Sequence, residues 1–354
     1  MKVVFVGLPQ SGKSTLFSAV TGQAFDPFAP ADVRTSVVKV PDPRLQSLAE
    51  ICNPKRIVEA TIEFLDIPGC IPGDPKGRED WKKMLPTVRQ AELLVVVVRD
   101  FENASVPMHK ERINPAEDFA TFWEELIFAD LDAVTTRVER LEKALKKPTK
   151  THDQEKRELA VLVKCKDALE SESPLSSVIE SEDDKKAVSS FGFLTQKPVI
   201  CVRNVSDDAA SSAEPLQLDH VASSLALSAS IEAELTQLDA DDRSEFMAEL
   251  GIDAPARDLL IRNCYESCGL ISFLTMGPDE VRAWPVRRDS SAVEAAGKIH
   301  SDIAKGFIRA ETVSYDDLIE NQDLKGARAA GKVRKEGKTY VVQDGDILNI
   351  LTSA

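Results

Sequence analysis

Residues 7–15 read Gly7-Leu8-Pro9-Gln10-Ser11-Gly12-Lys13-Ser14-Thr15 and follow directly on the short apolar run Val3-Val4-Phe5-Val6. The run predicts a buried strand, and the apolar stripe after the loop predicts a helix. Two glycines allow the loop to wrap so that consecutive backbone N–H groups point at one phosphate, at the positive end of that helix. The stretch therefore predicts an α/β fold with a phosphate-binding loop.

The side chains of this loop predict how a nucleoside triphosphate is held. Lys13 is expected to bridge the β- and γ-phosphates, which makes it a predicted catalytic residue, and Ser14 supplies a hydroxyl ligand for Mg²⁺. The residues of the loop that we predict to bind nucleotide are Leu8, Pro9, Gln10, Ser11, Gly12, Lys13, Ser14 and Thr15.

A second motif, Asp66-Ile67-Pro68-Gly69, follows the apolar run that ends at Leu65. A carboxylate at the end of such a strand approaches Mg²⁺ directly or through water, so Asp66 is the second predicted metal residue. The backbone amide of Gly69 is expected to meet the γ-phosphate. The predicted cofactor is Mg²⁺, and the predicted substrate is ATP or GTP.

Two further turns are placed to read the base. Asn204-Val205-Ser206-Asp207 follows the apolar run 199–202, and Ser228-Ala229 follows the run 225–227. The carboxyl ends of late strands are where nucleotide-binding sheets hold the base. We predict base contacts for Asn204, Val205, Asp207, Ser228 and Ala229, while an ordinary polar turn is the alternative. Val205 replaces the lysine of the usual Asn-Lys-x-Asp pattern, so the choice of base stays open.

Length and composition limit the class of protein. The 354 residues are too many for one compact core, and 29% charged with 43% hydrophobic residues is an ordinary composition for a soluble protein. A net charge of −15 argues against broad nucleic-acid binding, so no DNA partner is expected. No apolar run reaches the roughly 18 residues of a membrane span, so we predict a cytoplasmic protein without a membrane partner.

Apolar runs at 3–6, 61–65, 93–98, 199–202 and 225–227 predict a mainly parallel sheet. Between the third and fourth runs, apolar residues from Ile127 to Leu145 repeat at helical spacing, and a second helix passes through Leu159 and Leu169. These two stretches predict a helical hairpin, which is either a solvated structural arm or an arm that binds a partner.

The last part of the chain predicts a smaller β-rich region. Residues 257–265 have a helical pattern, and residues 270–275 read as a strand. Residues 340–342 and 347–350 predict a closing hairpin with Asp344 and Gly345 at its turn. Basic residues near Trp284 and Tyr340 form either an RNA-contacting surface or a merely solvated one.

Several ordered motifs resemble the YchF/Obg-like ATPase family of P-loop NTPases over essentially the whole chain. They are Val40-Pro41-Asp42-Pro43-Arg44-Leu45, Asn114-Pro115, Ala129-Asp130-Leu131, Lys197-Pro198-Val199, Val281-Arg282-Ala283-Trp284, 295–302, 306–311 and Asp344-Gly345-Asp346-Ile347. The resemblance implies a P-loop G domain (1–115 and 196–270), an inserted coiled-coil helical hairpin (116–195) and a C-terminal β-grasp-like TGS domain (271–354). It also implies use of ATP in place of GTP.

The chain departs from this family at one position near the phosphates and from many small GTPases at another. Pro30 stands where relatives carry the switch threonine that coordinates Mg²⁺, and proline has no such ligand. Cys70 stands where many small GTPases hold the glutamine that orients the attacking water. We therefore predict His109, in the loop after run 93–98, as the second catalytic residue, because a loop histidine titrates near neutrality; an ordinary exposed histidine is the alternative.

The sequence thus predicts an Mg²⁺-dependent nucleoside triphosphatase, slow without a partner, whose nucleotide state switches binding to the ribosome or another translation partner. The TGS domain and the hairpin are the predicted contacts to the ribosome or ribosomal RNA, and the protein is expected to be a monomer. The alternative is a nucleotide-sensing scaffold with negligible hydrolysis.

Overall fold

The computed structural model describes residues 1–23, 32–70, 74–104, 106, 111–146 and 151–353. The strands are β1 (Lys2–Val6), β2 (Arg34–Lys39), β3 (Ile57–Val58), β4 (Thr61–Asp66), β5 (Leu93–Asp100), β6 (Val199–Val205), β7 (Ser223–Leu227), β8 (Leu270–Met276), β9 (Val281–Arg287), β10 (Phe307–Ser314), β11 (Arg334–Glu336) and β12 (Asp346–Thr352). The helices are α1 (Lys13–Thr21), α2 (Arg44–Cys52), α3 (Pro75–Gln90), α4 (Pro115–Ala144), α5 (His152–Glu170), α6 (Glu182–Val188), α7 (Ala229–Leu235), α8 (Ala240–Leu250), α9 (Ala256–Ser267), α10 (Ala292–Ile299), α11 (Ser301–Lys305), α12 (Tyr315–Glu320) and α13 (Leu324–Ala329).

The chain separates into two compact units. Unit 1 contains Met1–Ser36 and Glu63–Arg257, and unit 2 contains Val37–Ile62 and Asp258–Ala354. The three-part division predicted from the sequence groups residues 37–62 and 258–270 with the nucleotide-binding domain instead. Those predicted domain bounds, and the name TGS for the last domain, stay predictions.

The first sheet has the strand order β2-β4-β1-β5-β6-β7. β1 pairs in parallel with β4 and β5, and β6 pairs in parallel with β5 and β7. All five predicted strands are confirmed, and several of their apolar runs are continuous because helices cover both faces of such a sheet. β2 was not predicted, because most of its residues alternate between exposed and half-buried positions and no apolar run marks it.

Parallel pairing decides where the polar loops lie. Because β1, β4, β5, β6 and β7 run in one direction, the loops that follow them leave the same edge of the sheet. The predicted phosphate-binding loop follows β1, and the Asp66 motif ends β4. The two turns predicted to contact the base, 204–207 at the end of β6 and 228–229 after β7, are called the base loops below. The fold therefore brings the separate sequence motifs to one edge.

The two predicted helices between β5 and β6 are confirmed as α4 and α5, which pack against each other. The side chain of Asn114 accepts a hydrogen bond from the Glu117 N–H, and Pro115 opens the first turn of α4, so this helix begins with a cap and a proline. The apolar repeat on α4 is buried against α5 and nearby turns; its core includes Val134, Val138, Leu141, Leu162, Cys165 and Leu169.

The second sheet has the order β11-β10-β12-β8-β9-β3 and lies in unit 2. β10 pairs antiparallel with β12, β8 pairs antiparallel with β9, and β12 is parallel to β8. The predicted strand at 270–275 is confirmed as β8. Helix α10 begins with a capping box between Ser291 and Glu294, and its alanines pack on the core that contains Phe273 and Val286.

The predicted closing hairpin is wrong. Val341 forms an isolated antiparallel bridge with Ser291, while β12 pairs with β10 and β8. The reason is local, because carboxylates hold the segment before β12 in a compact turn. Asp346 Oδ2 accepts hydrogen bonds from the Gln343 N–H and the Tyr340 hydroxyl, so the Gln343 N–H is used within the turn and not in a strand ladder. Across the described ranges, none of the helices has the length and apolar character that a membrane crossing requires.

Candidate nucleotide-binding site

The loop between β1 and α1 requires glycine at two positions. Gly7 has a φ of 136°, and a Cβ there would lie 2.5 Å from the backbone oxygen of Val97. Gly12 has a φ of 91°, and its Cβ would lie 2.0 Å from Nδ2 of Asn204. Both φ values are ones that side-chain-bearing residues rarely adopt. The loop consequently passes so close to β5 and to Asn204 that any side chain at these positions would displace it.

Lys13 is held at the start of α1. It is 5% exposed, and its Nζ donates a 2.6 Å hydrogen bond to the backbone oxygen of Leu8. Burial lowers the pKa of Lys13 to about 8, while the negative charge of Asp66 acts in the opposite direction. A Cβ at Gly69 would lie 2.8 Å from Nζ of Lys13, so only glycine leaves room for the ammonium group there. Lys13, the predicted phosphate-binding lysine, and the second motif are therefore neighbours.

Ser14 and Asp66 fit the Mg²⁺ that P-loop NTPases use. Asp66 ends β4, is 4% exposed, and its Oδ1 is buried without a hydrogen-bond partner. A buried carboxylate oxygen without a partner suits a hard cation or a water of its hydration shell. Ser14 directly follows Lys13 in α1, the position from which such loops present a hydroxyl to the metal.

Arg34 also reaches this carboxylate, and it was not predicted from the sequence. Its Nη2 donates a 2.6 Å hydrogen bond to Oδ2 of Asp66. The same nitrogen lies 3.5 Å from the backbone oxygen of Ser14, and the guanidinium carbon lies 5.1 Å from the ring centroid of Phe17. Arg34 begins β2, so the β-branched residues that follow it were the only available signal.

Asn204 joins the phosphate loop to the base loops. Its Nδ2 donates a 3.0 Å hydrogen bond to the backbone oxygen of Ser11, and its Oδ1 accepts a 2.9 Å hydrogen bond from the N–H of Ala229. Asn204 is 4% exposed, so its amide group is largely shielded from water and makes these two hydrogen bonds within the protein. The loops after β1, β6 and β7 are thereby fixed relative to one another within unit 1.

Asp207 is oriented by Ser228. The Ser228 hydroxyl donates a 2.5 Å hydrogen bond to Oδ1 of Asp207 and accepts one of 3.2 Å from the N–H of Ile231, which caps α7. Val205, at the position of the usual lysine, is 3% exposed at the end of β6. The carboxylate therefore has a defined orientation, while the lysine side chain that normally braces a guanine is missing.

A cavity of about 790 Å³ connects the phosphate loop with the base loops. The predicted residues that line it are Gln10, Gly12, Lys13, Ser14, Thr15, Asn204, Val205, Asp207, Ser228 and Ala229. Leu8, Pro9 and Ser11 line a separate cavity of about 10 Å³, and Asp66 and Gly69 adjoin Lys13. Most of the predicted binding residues therefore face one space.

Phe101 lines the same cavity and was not predicted from the sequence. The guanidinium carbon of Arg99 lies 4.6 Å from the Phe101 ring centroid, and Arg99 Nε donates a 3.0 Å hydrogen bond to the Phe101 backbone oxygen. These contacts fix an aromatic face at the cavity wall. Its place directly after β5, at the carboxyl end of a strand, was the signal for it.

Of the residues that the sequence analysis connects with the attacking water and the switch, the structure describes only Cys70. His109 and Pro30 lie outside the described residues, so their roles stay predictions. Cys70 is 6% exposed, and burial raises the pKa of its thiol to about 11. A neutral, buried thiol is a weak hydrogen-bonding group and orients water poorly.

Comparison with known proteins agrees with this arrangement. Residues 2–204 match a family model described as a 50S ribosome-binding GTPase, and residues 270–352 match a C-terminal YchF GTPase family described as a protein of unknown function. The protein named ribosome-binding ATPase YchF from Escherichia coli O157:H7 is 40% identical over 360 residues, covering 99% of this chain and 98% of that protein. The chain belongs to the YchF family.

A second YchF relative and a solved YchF structure extend this finding. The Bacillus subtilis (strain 168) ribosome-binding ATPase YchF is 40% identical, covering 97% of each chain. The structure of the Schizosaccharomyces pombe YchF GTPase matches with a TM-score of 0.84 and 29% identity, covering 99% of this chain and 97% of that one. The resemblance to the YchF/Obg-like ATPases is confirmed, and so is the P-loop NTPase class with a C-terminal YchF region.

Proposed function

We propose that this YchF-family protein is an Mg²⁺-dependent nucleoside triphosphatase that prefers ATP over GTP and whose nucleotide state controls its binding to the ribosome. It acts in the cytoplasm as a monomer. The observation that carries the proposal is Asn204, because its two hydrogen bonds make the phosphate loop and the base loops the walls of one cavity. The ribosome as partner is supported by the relatives from Escherichia coli O157:H7 and Bacillus subtilis, which are named ribosome-binding ATPases.

The phosphate end of the site rests on Lys13 and Gly69. The ammonium group of Lys13 and the backbone N–H groups of the loop bind the phosphates, and the Gly69 N–H contacts the γ-phosphate because no side chain blocks its approach. Mg²⁺, when bound, neutralises charge on the phosphate oxygens. Ser14 and Asp66 are the residues that hold it.

Hydrolysis requires a group that orients water. The buried thiol of Cys70 does not serve, and we assign this role to His109, a histidine that follows the end of β5 in the sequence. Because Cys70 does not supply the glutamine that orients water in many small GTPases, slow turnover in the absence of a partner is the expected behaviour.

Preference for ATP follows from the base loops. Val205 cannot supply the charge and long apolar stem with which lysine braces a guanine. Oδ1 of Asp207 already accepts the Ser228 hydrogen bond, so a guanine that bound both carboxylate oxygens would share Oδ1 with Ser228. The aromatic face of Phe101 contributes stacking that either base accepts.

We assign the ribosome contact to the predicted TGS domain (271–354) and the predicted hairpin (116–195). In unit 2, the guanidinium carbon of Arg282 lies 3.9 Å from the Trp284 ring centroid, and Trp284 stacks on Phe273 at 6.3 Å. Arginine and tryptophan placed in this way suit RNA phosphates and unpaired bases. Exposed basic side chains of the same unit include Arg287, Arg288, Lys335 and Lys338.

The test measures ATP turnover and co-sedimentation with ribosomes in the presence of ATP, ADP or no nucleotide, with K⁺ present. We expect slow turnover that ribosomes accelerate, and sedimentation that depends on the nucleotide. Lys13→Ala should abolish both effects, whereas Lys2→Ala, at a lysine paired with Glu63 at the start of β1 and outside both predicted ribosome-contacting regions, should change neither. Nucleotide binding without turnover, even with ribosomes and K⁺, would establish the scaffold alternative; sedimentation independent of nucleotide would contradict the switch.

A further inference from the structure

We propose that Arg34 is a resident counter-cation of Asp66, which competes with Mg²⁺ for this carboxylate and thereby sets how strongly nucleotide binding depends on Mg²⁺. The proposal rests on the proposed nucleotide site. Arg34 acts through Asp66 and is therefore a positioning residue, not a catalytic one.

The contact between the two side chains is strong for its environment. Arg34 Nη2 lies 2.6 Å from Asp66 Oδ2, and the side chains are 25% and 5% exposed. A hydrogen bond between two ionised groups is stronger than a neutral one, and a largely buried pair is screened little by salt. One oxygen of the predicted metal carboxylate is therefore engaged before any metal arrives.

Neighbouring groups fix the guanidinium at this place. Its carbon lies 5.1 Å from the ring centroid of Phe17, and Phe17 in turn contacts Phe5 edge-to-face at 6.2 Å. Arg34 Nη2 also lies 3.5 Å from the backbone oxygen of Ser14. The positive charge is thus held at the first turn of α1, beside the residue whose hydroxyl is predicted to hold the metal.

The competition follows from charge. Asp66 Oδ1 has no hydrogen-bond partner, so the carboxylate retains one free oxygen for a metal or its water. A divalent cation at Oδ1 meets a carboxylate whose charge Arg34 already partly neutralises. The cation is also repelled by the guanidinium, which is hydrogen-bonded to the other oxygen of the same carboxylate. Without metal, the same guanidinium supplies positive charge at the phosphate end. Mg²⁺ should therefore add less to nucleotide affinity here than it would in a site without Arg34.

The experiment compares nucleotide affinity with and without metal. The Kd of a fluorescent ATP analogue is measured in excess Mg²⁺ and in EDTA for the wild type, Arg34→Gln and Arg34→Lys. The matched control is Arg137→Gln. Arg137 on α4 donates two hydrogen bonds, of 2.7 and 2.8 Å, to Glu158 on α5, so this variant also removes an arginine paired with a carboxylate. Far-UV circular dichroism establishes that each variant is folded.

We expect the ratio of Kd in EDTA to Kd in Mg²⁺ to rise about tenfold or more in Arg34→Gln, because a hydrogen bond to a charged group changes an equilibrium constant by at least that factor. Arg34→Lys keeps the charge but loses the planar fork, so its ratio should lie between those of the wild type and Arg34→Gln. Arg137→Gln should keep the wild-type ratio.

Two results would overturn the proposal. If Arg34→Gln leaves the ratio of the two Kd values unchanged, whether or not it weakens binding in both buffers, Arg34 has only a structural role. If Arg34→Gln fails to fold, an unchanged ratio in Arg34→Lys leads to the same conclusion. Wild-type protein that binds no nucleotide in either buffer would contradict the proposed function itself, which distinguishes that failure from a failure of the Arg34 proposal.

Discussion

Asn204 and Gly12 show how closely single residues determine the site. The side-chain amide of Asn204 donates a hydrogen bond to the backbone oxygen of Ser11 and accepts one from the backbone N–H of Ala229. Gly12 lies against the same amide, where a Cβ would approach Nδ2 to 2.0 Å. The phosphate loop can take its observed path only if position 12 has no side chain, because the amide it meets is itself fixed by two hydrogen bonds.

Gly12→Ala should therefore abolish nucleotide binding, measured by titration with a fluorescent ATP analogue. Gly251→Ala is the matched control, because Gly251 also has a positive φ, of 66°, but a Cβ there meets nothing within 4 Å. Gly251→Ala should lose about 1 kcal/mol of unfolding free energy, the cost of a left-handed backbone for alanine, and Gly12→Ala should lose more because its Cβ also collides with Asn204. Only Gly12→Ala should lose the nucleotide, and equal affinities in the two variants would contradict the described loop path.

At the scale of elements, Asp130 attaches α4 to the sheet-bearing part of unit 1. Its Oδ1 accepts a 3.0 Å hydrogen bond from Arg89 on α3, and its Oδ2 accepts hydrogen bonds from the N–H and hydroxyl of Thr195, which precedes β6. Asp130 is fully buried. These hydrogen bonds come from residues outside α4, so the carboxylate attaches the long helix to α3 and to the segment before β6.

Asp130→Ala should lower the free energy of unfolding by about 3–5 kcal/mol, because it leaves the Arg89 charge and the Thr195 N–H without their buried partner. The measurement is urea denaturation followed by circular dichroism. Asp132→Ala, two residues along the same helix at an exposed position, should change the unfolding free energy by less than about 0.5 kcal/mol. A loss below about 1 kcal/mol in Asp130→Ala would mean that this contact does not hold α4.

At the scale of the whole molecule, the features predicted from the sequence are those with a local pattern. Short apolar runs indicated the five strands, and helical spacing indicated α4 and α5. The glycine-rich loop and the polar turns after the strands indicated the residues that line the cavity. β2 has no such run, and the Arg34–Asp66 pair joins residues 32 positions apart, so neither has a local signature. The false hairpin before β12 arose because its turn is held by side-chain carboxylates, which a strand pattern does not reveal.

The most direct test of the account is a titration of the purified protein with fluorescent ATP and GTP analogues in Mg²⁺, for the wild type and Lys13→Ala. We predict saturable binding of one nucleotide per chain, tighter for ATP than for GTP, and lost in Lys13→Ala. Such a result would place the phosphates at the buried lysine and the base beside Val205 and Asp207. Binding that survives Lys13→Ala would contradict the site, and tighter binding of GTP would contradict the assignment of the base loops.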